Sequence, residues 1–133
     1  MDVYLFSDAW AKACQIEINA SVAYRTAGAT WEGAVVFIRR GAEGELGVYV
    51  DLWRGECREA RELMDGDVDR APYVIHGDEQ AWAGVLGGSL DPLVALALGQ
   101  LKLAKGSLGA LAFHIKSARE LVAAASRVQQ RGG

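Results

Sequence analysis

The 133 residues carry 17 acidic and 14 basic side chains, a net charge of −3, and 51% of them are hydrophobic. Such a chain is expected to fold as one compact domain over residues 1–133, with core enough to need no disulfide or metal staple. Its interspersed charges exclude the concentrated positive field that nucleic-acid binding requires.

The opening MDVYLFSDAWAKA has an acid at position 2 and no basic segment leading into an apolar run, so it does not read as a signal peptide. Residues 7–19 read as a helix: Ser7 is placed to cap it, Asp8 suits its positive end, and Phe6, Trp10, Ala13 and Cys14 recur at helical spacing. A short second helix is expected from Ser21 to Ala27, ending near Gly28.

WEGAVVFIRR (31–40) is rich in β-branched and aromatic residues and predicts a strand. VYVDLWR (48–54) alternates, with Val48, Val50 and Leu52 on one face and Tyr49, Asp51 and Trp53 on the other, so the two segments predict an antiparallel hairpin. Gly55 can turn the chain onward. CREARELM (57–64) then presents a conflict. Its residues favour a helix, and Cys57, Ala60 and Leu63 fall at helical spacing; a strand could follow the turn, but local composition does not ask for one.

YVIHG (73–77) predicts a strand, and Asp78 caps a helix carrying Trp82, Val85 and Leu86 that Gly87 and Gly88 stop. Asp91-Pro92 opens another helix, LVALAL, which is apolar all round and ends at Gly99. Its run PLVALAL is the longest apolar stretch, far short of the roughly 20 residues that cross a bilayer. A cytoplasmic location is the expectation that follows. QLKLAK alternates again as a strand. Ser107 caps one long final helix with Leu108, Leu111, Ala112, Ile115, Leu121, Val122 and Ala125 as its buried stripe. The sum is an α+β fold, a mostly antiparallel sheet with helices packed on it.

Chemistry is sparse. No GxSxG, HExxH or GxxxxGK[ST] motif occurs, and no metal site or cofactor is called for. Cys14 and Cys57 lie far apart, outside any Cys-x-x-Cys pattern, and read as reduced apolar fillers. His76 at a strand end could serve as a base for Cys57, and His114 sits beside Lys116 on the last helix; the plainer reading of both is structural. Lys105, Gly106 and Ser107 precede a helix start and form a candidate anion contact, against the plainer reading of a turn and a cap. Trp10, Trp31 and Trp82 are placed for burial, with Trp53 partly exposed. What remains is a surplus of apolar residues around 85–115, which demands a core, a cavity or an interface.

The order and spacing of Gly88, Leu90, Pro92, Ala95, Leu96, Gly99, Leu101, Lys102, Leu103, Gly106 and Leu108 resemble the sterol carrier protein 2 family, and WEGAVVF and VDLWRGEC are similar to that family's first hairpin. The resemblance covers about Ser7 to Val122. It implies a five-stranded, mostly antiparallel sheet covered on one face by helices, with an apolar tunnel between them and no catalysis. It also implies a strand at 57–64. The interval from Gly99 to Gly106 is one residue longer than the family pattern, with Ala104 as the extra residue that a bulge would absorb, and Ser107 stands where asparagine is common.

On this reading the ligand is a fatty acid, fatty acyl thioester, phospholipid or sterol-like lipid. Its expected wall is Val35, Phe37, Val48 and Val50 on the sheet, with Trp82, Leu86, Leu93, Leu96 and Ala97 on the middle helices. Leu101, Leu103, Leu108, Leu111, Ala112 and Ile115 complete it. Two other readings stay open: a protein-interaction or dimerisation module using the apolar groove, and a small acyl-thioester enzyme. Monomer and homodimer are both open, and the first helix, with Phe6 and Trp10 on one side, offers a transient membrane-surface contact despite sparse positive charge.

Overall fold

A computed structural model of the protein describes residues 5–42 and 44–132, of which 129–132 as backbone alone. In chain order the elements are α1 (Asp8–Ala20), α2 (Val22–Ala27), β1 (Glu32–Gly41), β2 (Gly44–Trp53), β3 (Glu56–Glu62) and α3 (Asp67–Arg70). They continue with β4 (Tyr73–Asp78), α4 (Glu79–Leu86), α5 (Pro92–Ala97), β5 (Leu101–Lys105), α6 (Leu108–Phe113) and α7 (Ile115–Gly132).

The expected caps at Ser7, Asp78, Asp91 and Ser107 are in place, and Ser21, expected as the first residue of the second helix, is its cap. Ser7 Oγ accepts from the Trp10 amide, Ser21 Oγ from Tyr24, and Asp78 Oδ1 from Ala81. Asp91 Oδ2 accepts from Leu93 and Val94 with Pro92 in the first turn, and Ser107 Oγ accepts from Ala110. Each cap satisfies a helix-start donor that has no partner within its own helix.

The strands form one five-stranded sheet in the order β3-β2-β1-β4-β5. β1 and β2 pair without interruption from Glu32↔Trp53 to Gly41↔Gly44, β2 pairs antiparallel with β3, and β4 with β5. β1 and β4 run parallel, which makes the sheet mixed.

Two bulges decide which side chains face inward. Between Asp51/Leu52 the pairing jumps from Glu59 to Cys57, so Arg58 is the extra residue on β3. That shift turns both Cys57 and Ala60 to the core, where they are 1% and 2% exposed. Their spacing of three, which reads as helical in the sequence, is therefore made by a strand. α1 lies beside this edge strand and closes its open side. Asn19 Oδ1 accepts from the Cys57 amide at 2.8 Å and its Nδ2 donates to the Cys57 carbonyl at 2.9 Å. Gln15 donates to the Cys57 and Arg58 carbonyls, and Asp8 accepts from the Glu62 amide. Polar side chains of the helix thus substitute for a neighbouring strand, and the edge outweighs local helix propensity.

The second bulge lies on β5, where Val74 pairs with Lys105 but Ile75 with Leu103, leaving Ala104 as the extra residue. Without it, Lys105 would share the inward face of Leu101 and Leu103. With it, Lys105 turns to the outer face and donates to the carbonyls of Val68 and Asp69 in α3.

One expectation is corrected. The final helix is two helices, α6 and α7, broken at His114 (φ −101°, ψ 30°), whose ring meets Trp31 edge-on at 5.1 Å. Leu111 and Ile115 keep their four-residue spacing across the break, so the pattern hides it. Leu108, 47% exposed, and Ala112 fall outside the buried stripe. The short helix α3 had no expected counterpart.

The main core lies between the sheet and α1, α4, α5, α6 and α7, and includes Trp10, Ile18, Val48, Val50, Ile75, Trp82, Val85, Leu111 and Ala125. A smaller cluster of Ala34, Val36, Ala71 and Val74, with Ile38, Tyr49 and Leu63 packed against it, occupies the opposite face.

Candidate functional site

The inward face of the sheet is a run of β-branched, aromatic and leucine side chains: Val35 and Phe37 on β1, Val50 on β2, Ile75 on β4 and Leu101 on β5. Strand alternation places them together, and the helices above supply matching apolar faces. Two cavities remain between the layers. The first, of about 70 Å³, is bounded by Val35, Phe37, Ile75, Trp82, Val85, Pro92, Leu93, Leu96, Leu101, Leu111, Ile115, Ala118 and Val122. The second, of about 50 Å³, is bounded by Phe6, Trp10, Cys14, Ile18, Phe37, Val50, Trp82, Leu86, Leu121, Val122 and Ala125.

Phe37, Trp82 and Val122 border both cavities and form the partition. The rings of Phe37 and Trp82 meet edge to face at 5.7 Å, and Phe6 meets Trp82 at 5.1 Å and Trp10 at 5.0 Å. The Trp82 indole donates to the Ile38 carbonyl at 2.9 Å, so its polar end is satisfied and its apolar body faces the cleft. The wall contains no charged side chain among the described residues.

Of the expected wall residues, Val35, Phe37, Trp82, Leu93, Leu96, Leu101, Leu111 and Ile115 border the first cavity. Val50 and Leu86 border the second. Val48 is fully buried in the core and Leu103 is half-buried against it, but neither borders a cavity. Ala97, Leu108 and Ala112 are exposed on the outward sides of α5 and α6. Sequence reasoning missed Ile75, Val85, Ala118 and the whole α1 wall. Trp10, Cys14 and Ile18, spaced by four, carried the signal for the latter.

The titratable groups lie apart. Cys57 is buried, its thiol donates to the Glu59 carbonyl, and burial pushes its pKa up to about 12. Burial also pushes Cys14 up. His76 is on the outer face of β4, opposite Lys102 on β5; burial, then the nearby Arg40 and Lys102, lower its pKa. Two strands separate β3 from β4, about 14 Å at sheet spacing, so the structure does not bring Cys57 and His76 together. Lys105 is engaged by the α3 carbonyls, Ser107 by its cap, and Gly106 (φ +116°) packs against the Tyr73 ring.

Comparison with solved structures places this architecture. A crystal structure of sterol carrier protein 2 superposes with a TM-score of 0.85 at 40% identity, over 92% of this chain and 98% of that one. The solution structure of a conserved hypothetical protein from Thermus thermophilus gives 0.85 at 39%, over 96% and 92%. The chain belongs to the sterol carrier protein 2 family. A more distant structure, sterol carrier protein 2 of Aedes aegypti in complex with palmitate, shares the fold at a TM-score of 0.51 and 14% identity, over 84% and 96%. No family model matches the chain, and no curated protein matches it in sequence. The two cavities lie between sheet and helices, with α4, α5, α6 and α7 walling the first and α1, α4 and α7 the second. Among the described residues no helix is long and apolar enough to cross a membrane.

Proposed function

We propose that the protein binds and carries a lipid, in the class of fatty acids, fatty acyl thioesters, phospholipids or sterol-like molecules, without transforming it. The observation that carries this reading is the pair of apolar cavities between sheet and helices, divided only by Phe37, Trp82 and Val122. Membership of the sterol carrier protein 2 family supports it, as does the palmitate held by the mosquito relative on the same fold.

At about 70 and 50 Å³ the cavities are well below the roughly 300 Å³ at which small-molecule pockets begin. The cleft is therefore closed, and a chain enters by parting the Phe37–Trp82 contact so that the two cavities merge. Each methylene buried contributes about 0.8 kcal/mol, enough to drive that opening without directional chemistry.

The test is native mass spectrometry of the purified protein followed by denaturing extraction. A bound lipid of defined mass, released on unfolding, is the expected result. A protein that carries none, and that takes up no fatty acid or lysophospholipid when offered them, would overturn the reading.

A further inference from the structure

Beyond the apolar wall, the inward face of β1 ends in a charge. Strand alternation that turns Val35 and Phe37 to the helices turns Arg39 the same way, one pleat further along. Its side chain is 17% exposed. On the helical side, Glu79 stands in the first turn of α4, three residues before Trp82 and so on the same face of that helix. The Arg39 Nη1 donates to Glu79 Oε1 at 2.8 Å. The ion pair therefore lies two residues along β1 from Phe37 and one helical turn along α4 from Trp82, just outside the linings of both cavities.

This pair is incomplete. Arg39 Nε is buried and has no hydrogen-bond partner among the described residues. Glu79 engages one nitrogen and is itself 60% exposed, a carboxylate on a movable side chain resting against a fixed guanidinium. Gly41 leaves the room it occupies, since a Cβ there would lie 2.6 Å from Glu79 Oε1. Outside the pair is an open groove of about 400 Å³ bounded by Arg39, Gly41, Ala42, Gly44, Glu45, Leu46 and Glu79. Glu45, the other carboxylate in that groove, is held by Arg40 at 2.8 Å. The same turn carries Glu43, which lies outside the described residues.

An arginine fork engages a carboxylate through two parallel hydrogen bonds, and a guanidinium that offers one of its edges unused has the geometry to take a second oxygen. We infer that Arg39 anchors the carboxylate of an ionised fatty acid whose chain lies in the merged cavities, and that Glu79 occupies this place when the ligand is absent. The inference rests on the lipid-carriage reading and adds a polarity to it: the charged end of the ligand lies at the β1–α4 end of the cleft, and the methyl end inside.

The experiment compares dodecanoate with dodecanol, which share a chain and differ in the charged end. Affinities are measured for the wild-type protein, Arg39→Met and Glu79→Gln, each first checked for native circular dichroism. Arg39→Met should weaken dodecanoate at least ten-fold, a loss of about 1.4 kcal/mol, and leave dodecanol unchanged. Glu79→Gln removes the internal competitor and should tighten dodecanoate several-fold, again without moving dodecanol. Should Arg39→Met not fold, the sign of the Glu79→Gln effect decides. Wild-type binding of both compounds, with a ratio that a folded variant does not move in the stated direction, overturns the anchor and leaves lipid carriage standing. Binding of neither compound by the wild type removes carriage and the anchor together.

Discussion

Asp67 is fully buried, yet four donors hold it as a carboxylate. Arg61 grips both oxygens, at 2.7 and 3.1 Å, Arg70 reaches Oδ1 at 2.9 Å, and the Met64 amide donates to Oδ2 at 2.7 Å. The Arg61 guanidinium above all holds its pKa near 2, against about 3.9 in an unfolded chain. The stability this contributes is fully present above the unfolded value and is lost as pH falls from about 4 through about 2. Because the arginines reach solvent, the contribution is about 1 kcal/mol rather than the full linkage value. Asp67→Asn should lower the urea midpoint at neutral pH, and its gap from wild type should narrow below about pH 4. Leu96 sits on the first cavity's wall from α5. Leu96→Asp would set a carboxylate on that wall and press a charge without a partner against the lipid chain. Fatty-acid affinity should fall at least a hundred-fold while the circular dichroism spectrum stays native. Unchanged affinity in a folded variant would remove α5 from the site.

At the scale of the element, β3 depends on α1 more than on its own residues. Asn19 supplies one donor and one acceptor to the backbone of Cys57. Asn19→Leu leaves the Cys57 amide to find water at a half-closed edge, while Gln15 still donates to the carbonyl, and should cost about 1 kcal/mol, read from urea denaturation, with faster hydrogen exchange at the Cys57 amide. The same strand marks where sequence reasoning gave way. Helix and strand periods differ, but a bulge after Cys57 reproduces the helical interval between it and Ala60. Only the family resemblance, through its expected strand, recovered it. Ala104 is a similar case: the alternation of QLKLAK hides it, the family pattern marks one residue too many between Gly99 and Gly106, and the structure puts a bulge there. The caps Ser7, Asp78, Asp91 and Ser107 were legible because each acts on amides two or three residues away. The break at His114 was not, since its partner Trp31 is distant in the chain.

At the scale of the whole molecule, the sequence yielded the layers and most of the apolar wall, because alternation on β1 and helical spacing on α4 and α5 both point to one shared interior. It did not yield the parallel pairing of β1 with β4, the partition by Phe37 and Trp82, or the role of α1, all of which arise from contacts between distant segments. Those contacts also set an order of assembly. Arg127 on α7 meets Glu17 on α1 at 3.2 Å, 110 residues apart. In a chain synthesised at roughly 5–20 residues per second, about 5 to 20 seconds pass between the making of those two partners. The β1–β2–β3 meander can pair early, since its turns are short, but its apolar side has only α1 for a roof until α4 to α7 are made. For those seconds of every synthesis, the surface that later encloses the cavities stands open, and the nascent chain meets its surroundings with its inside facing out.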